Sequence, residues 1–332
     1  MITVSHLTKY YGEHLAVDDL SFEIDEGQVY GFLGPNGAGK STTMNIMTGC
    51  LSATEGTVAI DGYDIFEQPG PAKKRIGYLP EQPPLYMNES PSDYLRFVGA
   101  AKGLRGEALQ TQIEEVVRQT GIEPVRHRRI GALSKGYKQR VGIAQALLGN
   151  PKVIILDEPT VGLDPIQIIE IRELIRELGK THTVIFSSHI LSEVQTICDQ
   201  ILMIAHGKLV AFDAPDNLEK RLLSKGEIDI TADVGAAELE ALLSGIDGLA
   251  EVSVQQASAG YSSAHIRTEQ EDIYAVSGAI FHACADQAVT LVEMSLKKAS
   301  LEDVFLELAA VPEAAETEPS GEDIPKSGED AV

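Results

Sequence analysis

Residues 34–41 read Gly34-Pro35-Asn36-Gly37-Ala38-Gly39-Lys40-Ser41, and this octapeptide with its flanks constrains the fold more than any other part of the chain. Before it stands a continuous apolar run of strand length, residues 29–33; after it, residues 40–48 have helical composition and end at Gly49. Strand, glycine-rich loop and helix in this order make a phosphate-binding loop. The glycines let backbone N–H groups turn inward around phosphate oxygens, and the helix N-terminus adds the positive end of its dipole. Lys40 neutralises β- and γ-phosphate charge, and the Ser41 hydroxyl ligates Mg2+, with Thr42 beside them in the nucleotide-binding set. The pattern predicts binding of a nucleoside triphosphate with magnesium.

The rest of the chain supplies an α/β frame for such a loop. Up to residue 60, short apolar–polar runs at 2–7, 20–24 and 57–60 are predicted strands, separated by turns such as Glu26-Gly27 and Asp61-Gly62. Between residues 92 and 148 the period becomes helical, which predicts a helical insertion on the core. Strands at 153–156 and 184–187 then alternate with helices at 166–178 and from about 191, which implies a largely parallel sheet. Residues 201–205 and 208–212 read as a closing hairpin around His206-Gly207. A second unit follows Lys225. There, strand-like 228–232, 250–255, 264–268 and 289–293 interleave with helical 237–243 and 272–285, a small α/β domain sealed by a helix at 300–309. After Pro312 the chain is acidic, rich in Pro, Ser and Gly and without apolar periodicity, and is predicted as a disordered tail. The expected division is 1–224 with a helical subdomain at about 85–150, then 225–311, then 312–332.

Two further segments carry chemistry. VIILDEP, residues 153–159, is an apolar strand that delivers two acids at its C-terminal end, the edge of an α/β sheet where ligands bind. Asp157 is placed to hold magnesium through water. Glu158 points elsewhere, because strand side chains alternate, and is placed to orient and deprotonate an attacking water. His189, just after the 184–187 strand, is either a structural strand-end histidine or a γ-phosphate contact. Leu133-Ser134-Lys135-Gly136-Tyr137 precedes a helix, with Ser134 a candidate N-cap. That cap is either plain or, with the Gly136 N–H and the helix dipole, a second anion site.

Together these elements resemble the nucleotide-binding subunit of an ATP-binding-cassette (ABC) transporter. The phosphate loop, LSKGY, VIILDEP, the turn Val161-Gly162-Leu163-Asp164 and His189 occur in the family's order, over residues 1 to about 222. The resemblance implies a P-loop cassette with a mostly parallel core sheet, an antiparallel β subdomain and the helical insertion. It implies ATP as the nucleotide, hydrolysed with Mg2+, with Glu158 and His189 catalytic. It also gives Tyr11 of KYYG the adenine-stacking role, ahead of Tyr10, and makes Asp164 a link between two sites. Two subunits would face head to tail, each ATP held between one loop and the partner's Ser134, Lys135, Gly136 and Tyr137. There are two departures. The family's LSGGQ signature reads LSKGY, and the Q-loop glutamine position holds Glu81 with Gln82 next to it, so either is a candidate for magnesium contact through water. SLEDVFLELA, residues 300–309, after an added domain resembles ATPases of ABC-2-type exporters for drugs, polysaccharides or lipids, and SKGYKQR with Glu81 is similar to multidrug and gliding-motility members.

Composition narrows the partners. A formal net charge of -23 repels phosphate backbones, so nucleic acid is not expected. No stretch approaches the ~20 apolar residues of a membrane span, and the first residues lack a signal peptide's basic start and apolar core. The chain is therefore expected in the cytoplasm, peripheral on the cell membrane's inner face, with a separate permease as partner and a second copy of itself as the other ATPase subunit. Cys50, Cys198 and Cys284 are widely spaced and read as reduced thiols. Two rivals stand beside this reading: a soluble ABC ATPase acting on ribosomes or DNA, and an ATPase controlled by a ligand of the C-terminal domain. A GTPase is disfavoured because no NKxD-type motif is present.

Overall fold

The computed structural model describes residues 1–222, 226–258, 260–268, 270 and 272–298. The expected boundary between residues 224 and 225, the expected helix at 300–309 and the expected acidic tail at 312–332 lie outside the described residues. The first strands, β1 (Ile2–Tyr11) and β2 (His14–Ile24), form an antiparallel hairpin. The next, β3 (Val29–Leu33), leaves that sheet and runs toward α1 (Lys40–Met47), after which β4 (Glu55–Ile60) and β5 (Tyr63–Asp64) return to give the order β2-β1-β4-β5. The expected strand at 2–7 runs on to Tyr11, because register shifts around Leu7 and Lys9 break the alternation without ending the pairing.

The chain continues through α2 (Pro69–Lys73), β6 (Ile76–Leu79), α3 (Pro91–Ala101), α4 (Gly106–Gln119) and α5 (Lys135–Leu147). Then come β7 (Val153–Leu156), α6 (Pro165–Gly179), β8 (Thr183–Ser188), α7 (Leu191–Ile197), β9 (Gln200–Ala205), β10 (Lys208–Asp213) and α8 (Pro215–Leu222). Six strands form one sheet in the order β10-β9-β3-β8-β7-β6, parallel except for β10. Burial on both faces explains why β3, β7 and β8 are near-continuous apolar runs. Tyr30, Phe32, Ile155 and Ile185 pack with the antiparallel sheet and α1, whereas Val29, Leu33, Leu156 and Phe186 pack with α5, α6 and α7. The helical insertion joins this second core through Tyr94 and Leu95 of α3 and Ile113, Val116 and Val117 of α4.

Gly31 in β3 lets α7 lie directly on the strand. A Cβ there would overlap Val194 Cγ1 and stand 2.7 Å from Cys198 Sγ. Gly31→Val is therefore expected to destabilise the cassette by about 3 kcal/mol, read as a lower urea midpoint at unchanged slope.

The C-terminal unit comprises β11 (Gly226–Asp233), α9 (Ala236–Leu243), β12 (Leu249–Ser258), β13 (Tyr261–Thr268), α10 (Ile273–Asp286) and β14 (Thr290–Lys298). Its strands are all antiparallel, in the order β12-β13-β11-β14, so the expected α/β unit takes the βαββαβ ferredoxin-like form. Alternation sorts the sheet's two faces. Ile228, Ile230, Ala264 and Ile266 pack against Leu239, Leu242, Val276 and Ile280 of the helices. On the other face Asp229 Oδ1 stands 2.7 Å from His265 Nδ1, and Glu227 Oε1 accepts from Arg267 Nε at 3.1 Å.

Candidate functional site

The phosphate loop begins where β3 ends. Gly39, the N-cap of α1, has φ +99°, a backbone that only glycine adopts without strain, and a Cβ there would stand 2.5 Å from the Ala16 carbonyl oxygen. A Cβ on Gly34 would overlap the Ile204 carbonyl oxygen. The loop is thus seated on the neighbouring strands as a backbone cradle that side chains would fill. Lys40 lies back along it, 6 % exposed, with Nζ donating to the carbonyls of Gly34 (2.7 Å) and Pro35 (3.1 Å). Burial lowers its pKa from the ordinary lysine value, while the charges of Glu158, Asp157 and Glu81 pull it back up.

The acids follow the last residue of β7, which is separated from β3 by β8. Asp157 is 2 % exposed, and its Oδ1 accepts from Ser41 Oγ (3.1 Å) and Ser187 Oγ (2.7 Å). Glu158 turns away from Asp157 through a left-handed backbone, φ +48°, which aims its carboxylate at the loop. Its Oε1 stands 3.6 Å from Lys40 Nζ and its Oε2 3.0 Å from His189 Nδ1. The Glu158 N–H donates to Ser187 Oγ at 2.7 Å. Ser187 therefore holds both acids, one through its proton and one through its lone pair.

Lys40, Glu158 and His189 open onto a cleft of about 450 Å³, which Asp157 does not line. Tyr11, Asn36, Gly37, Gly39, Lys40, Ser41, Thr42, Glu81, Glu158 and His189 line it, so most of the residues singled out from the sequence come together. Of the two open pairs, Tyr11 and Glu81 line the cleft, and Tyr10 and Gln82 are not among its lining residues. Val161, from the turn that leads to Asp164, completes the wall with His14 and Ala16 of β2, and those two were not singled out from the sequence. Among the described residues no cluster of three or more His, Cys, Asp or Glu forms a metal cage. The Ser41 hydroxyl against the Asp157 carboxylate nevertheless fits Mg2+, which takes few protein oxygens and shares the rest with phosphates and water.

The LSKGY residues lie elsewhere. Ser134 caps α5, accepting from the Tyr137 N–H at 3.4 Å, and Asp164 caps α6, accepting from the Gln167 N–H at 3.0 Å. Ser134, Gly136, Tyr137 and Asp164 line a second cleft of about 410 Å³ together with Gln167 and Arg140. No residue lines both clefts. Lys135 is not among the residues that line this cleft. It lies over Gly162, where a Cβ would overlap its Nζ, because Gly162 (φ +68°) offers no side chain to exclude it.

With this geometry in view, comparison with known proteins gives a consistent result. The family model described as ABC transporter matches residues 17–161. The ABC transporter ATP-binding protein YhcH of Bacillus subtilis (strain 168), itself uncharacterised, is 35 % identical over 93 % of this chain and 95 % of its own length. The linearmycin resistance ATP-binding protein LnrL of the same organism is 32 % identical over 93 % of this chain and 98 % of its own. A dimeric, post-hydrolysis structure of an ATP-binding cassette with bound ADP and Pi superposes with a TM-score of 0.59 at 26 % identity, covering 64 % of this chain and 98 % of that one. A phosphate cradle at the end of a parallel sheet, two acids beside it and relatives matched along nearly their whole length establish that this chain belongs to the ABC transporter family, as an ATP-binding subunit with the cassette ATPase fold.

Proposed function

We propose that the chain is the ATP-hydrolysing motor of an ABC-2-type exporter, working as a head-to-tail pair of identical subunits that drives a separate membrane permease. The observation that carries this reading is the separation of the two clefts: the phosphate loop and the LSKGY segment of one chain share no cleft. A second copy would bring its Ser134, Lys135, Gly136 and Tyr137 to the first copy's ATP, and Asp164 would link the two sites. Ile166 and Ile169, 71 % and 54 % exposed on α6 beside Asp164, give that face the apolar surface a protein partner covers. A second apolar patch, Tyr86, Met87 and Phe97, follows Glu81 in the chain, with Tyr86 packed 5.3 Å from Phe97 between ring centroids. It is the surface offered to the permease. No helix among the described residues is long and apolar enough to cross a membrane. In this proposal the permease forms the path, and the chain sits against the membrane's cytoplasmic face.

Within one site, Tyr11 stacks on adenine and residues 34–42 hold the phosphates, with Lys40 offsetting β- and γ-phosphate charge. Ser41, Asp157 and Glu81 would hold Mg2+, which would offset the remaining phosphate charge. Glu158 takes the proton of the attacking water, and His189, already 3.0 Å away, fixes that carboxylate and meets the γ-phosphate. The domain plan belongs to the same proposal: a cassette at 1–224, an accessory unit at 225–311 and an acidic tail at 312–332. The similarity to LnrL, a linearmycin resistance protein matched along both units, supports export of a drug-like compound.

Complementation tests the shared site. A Lys40→Ala chain and a Ser134→Arg chain are each expected to be inactive. Mixed, they form dimers with one intact site and recover about a quarter of the wild-type ATPase rate if the sites act independently. No recovery, with dimers demonstrably formed, would place the whole site within one chain.

A further inference from the structure

Behind the phosphate-loop cleft lies a buried carboxylate that the chemistry above does not use. Glu193, in the first turn of α7, is 1 % exposed. Its Oε2 accepts from two hydroxyls, Thr160 Oγ1 at 2.7 Å and Ser188 Oγ at 2.9 Å. Its Oε1 faces α6, where Arg172 Nη2 stands 3.3 Å away. That approach is an ion pair without hydrogen-bond geometry, and Glu193 Oε1 and Arg172 Nε are left with no hydrogen-bond partner among the described residues. Burying a carboxylate with one oxygen unsatisfied is costly, and an apolar side chain would fill the same space without that cost. Packing gives no reason for an acid here.

Its two hydroxyl partners give one. Thr160 lies two residues after Glu158, and Ser188 immediately precedes His189. The strand pairing between β7 and β8 ends at Leu156 and Phe186, so it does not space the residues that carry Glu158 and His189, although Ser187 and Ser188 stay paired with β3. Ser187 ties the first residues past that point. Glu193 ties the next ones. Ser188 Oγ also accepts from the Ile190 N–H at 3.0 Å, which closes the turn around His189. The Thr160 carbonyl accepts from the Leu163 N–H at 3.2 Å, starting the turn toward Asp164.

We infer that Glu193 is a positioning residue for ATP hydrolysis: one carboxylate oxygen sets the spacing of the two segments that hold the Glu158–His189 pair, and the other ties them to α6 through Arg172. This assignment rests on Glu158 acting as the base. Glu193 is buried and does not line the phosphate-loop cleft, so its removal is expected to be felt in the rate and not in binding.

The test uses full-length Glu193→Ala, Glu193→Gln and Thr160→Val chains, with steady-state hydrolysis, direct ATP titration, thermal unfolding and amide exchange of residues 158–164 and 188–190. Glu193→Ala is expected to lose about tenfold or more in kcat, with KM and ATP affinity within about twofold of wild type. Glu193→Gln keeps an acceptor for both hydroxyls and is expected to recover most of the rate. In Glu193→Ala the two segments are expected to lose exchange protection together, with or without turnover. Thr160→Val keeps its shape and loses the tether, and is expected to show the same rate-only defect if Glu193→Ala does not fold. An unchanged kcat in Thr160→Val and Glu193→Ala would overturn the assignment. So would a loss of kcat and ATP affinity in step with the melting temperature. Normal turnover in Glu158→Gln would instead remove the base, and the exchange measurement would still report on the tether.

Discussion

Glu158→Gln is expected to lower ATP turnover by about a thousandfold while ATP still binds and holds two subunits together. The substitution keeps the shape of the side chain and removes its ability to take a proton. The backbone gives no second reason for the loss, since Gln meets the same φ of +48° that Glu already tolerates. His189 Nδ1, 3.0 Å from Oε2, retains an acceptor in the amide oxygen. Lys40 Nζ loses a carboxylate partner at 3.6 Å and is left free to pair with phosphate instead. Removing one negative charge beside the γ-phosphate also weakens repulsion in the bound state. Nucleotide affinity is therefore expected to hold or rise. Single-turnover phosphate release together with size-exclusion chromatography in ATP checks both halves; a normal release rate would remove Glu158 from the role of base.

Lys40→Ala is expected to weaken ATP binding by about two orders of magnitude, because a desolvated ammonium is worth about 3 kcal/mol to the phosphates it meets. The effect on the apo fold is expected to be small. Burial already lowers the Lys40 pKa, so the charge carries a desolvation cost that the nearby acids only partly offset. Glu158, left behind, still has His189. Thermal unfolding with and without nucleotide separates the two: wild type gains stability from ATP by mass action, and the variant does not. A variant that binds ATP as tightly as wild type would count against the phosphate-loop assignment.

The features legible in the sequence are those set by local backbone or by burial on both faces of a strand. The glycine pattern of residues 34–39 is a backbone requirement, visible without any partner. β3, β7 and β8 read as strands because their apolar runs lack alternation, the signature of a doubly covered parallel sheet. Where pairing is irregular, the signal failed: β1 reaches Tyr11 through bulges that scramble its alternation. The clamp residues Ser187 and Glu193 were equally invisible. Ser187 binds the Asp157 side chain thirty positions away, and Glu193 binds Thr160 thirty-three positions away. Polar residues at an apolar strand's end were the available hint, and they point to no partner.

By itself the sequence determined the triphosphate loop, the acid pair at the end of an apolar strand and the order of the cassette's parts, because each depends on neighbours in the chain. Only the tertiary structure decided that Glu81, and not Gln82, lines the cleft beside the already favoured Tyr11, and that Lys135 lies over Gly162. Adjacent side chains on extended backbone point opposite ways, so the choice between them is made by strand register and loop path. The same holds for the distance between Glu158 and His189. It is set by hydroxyls and a buried carboxylate brought from three elements, and no stretch of chain contains it.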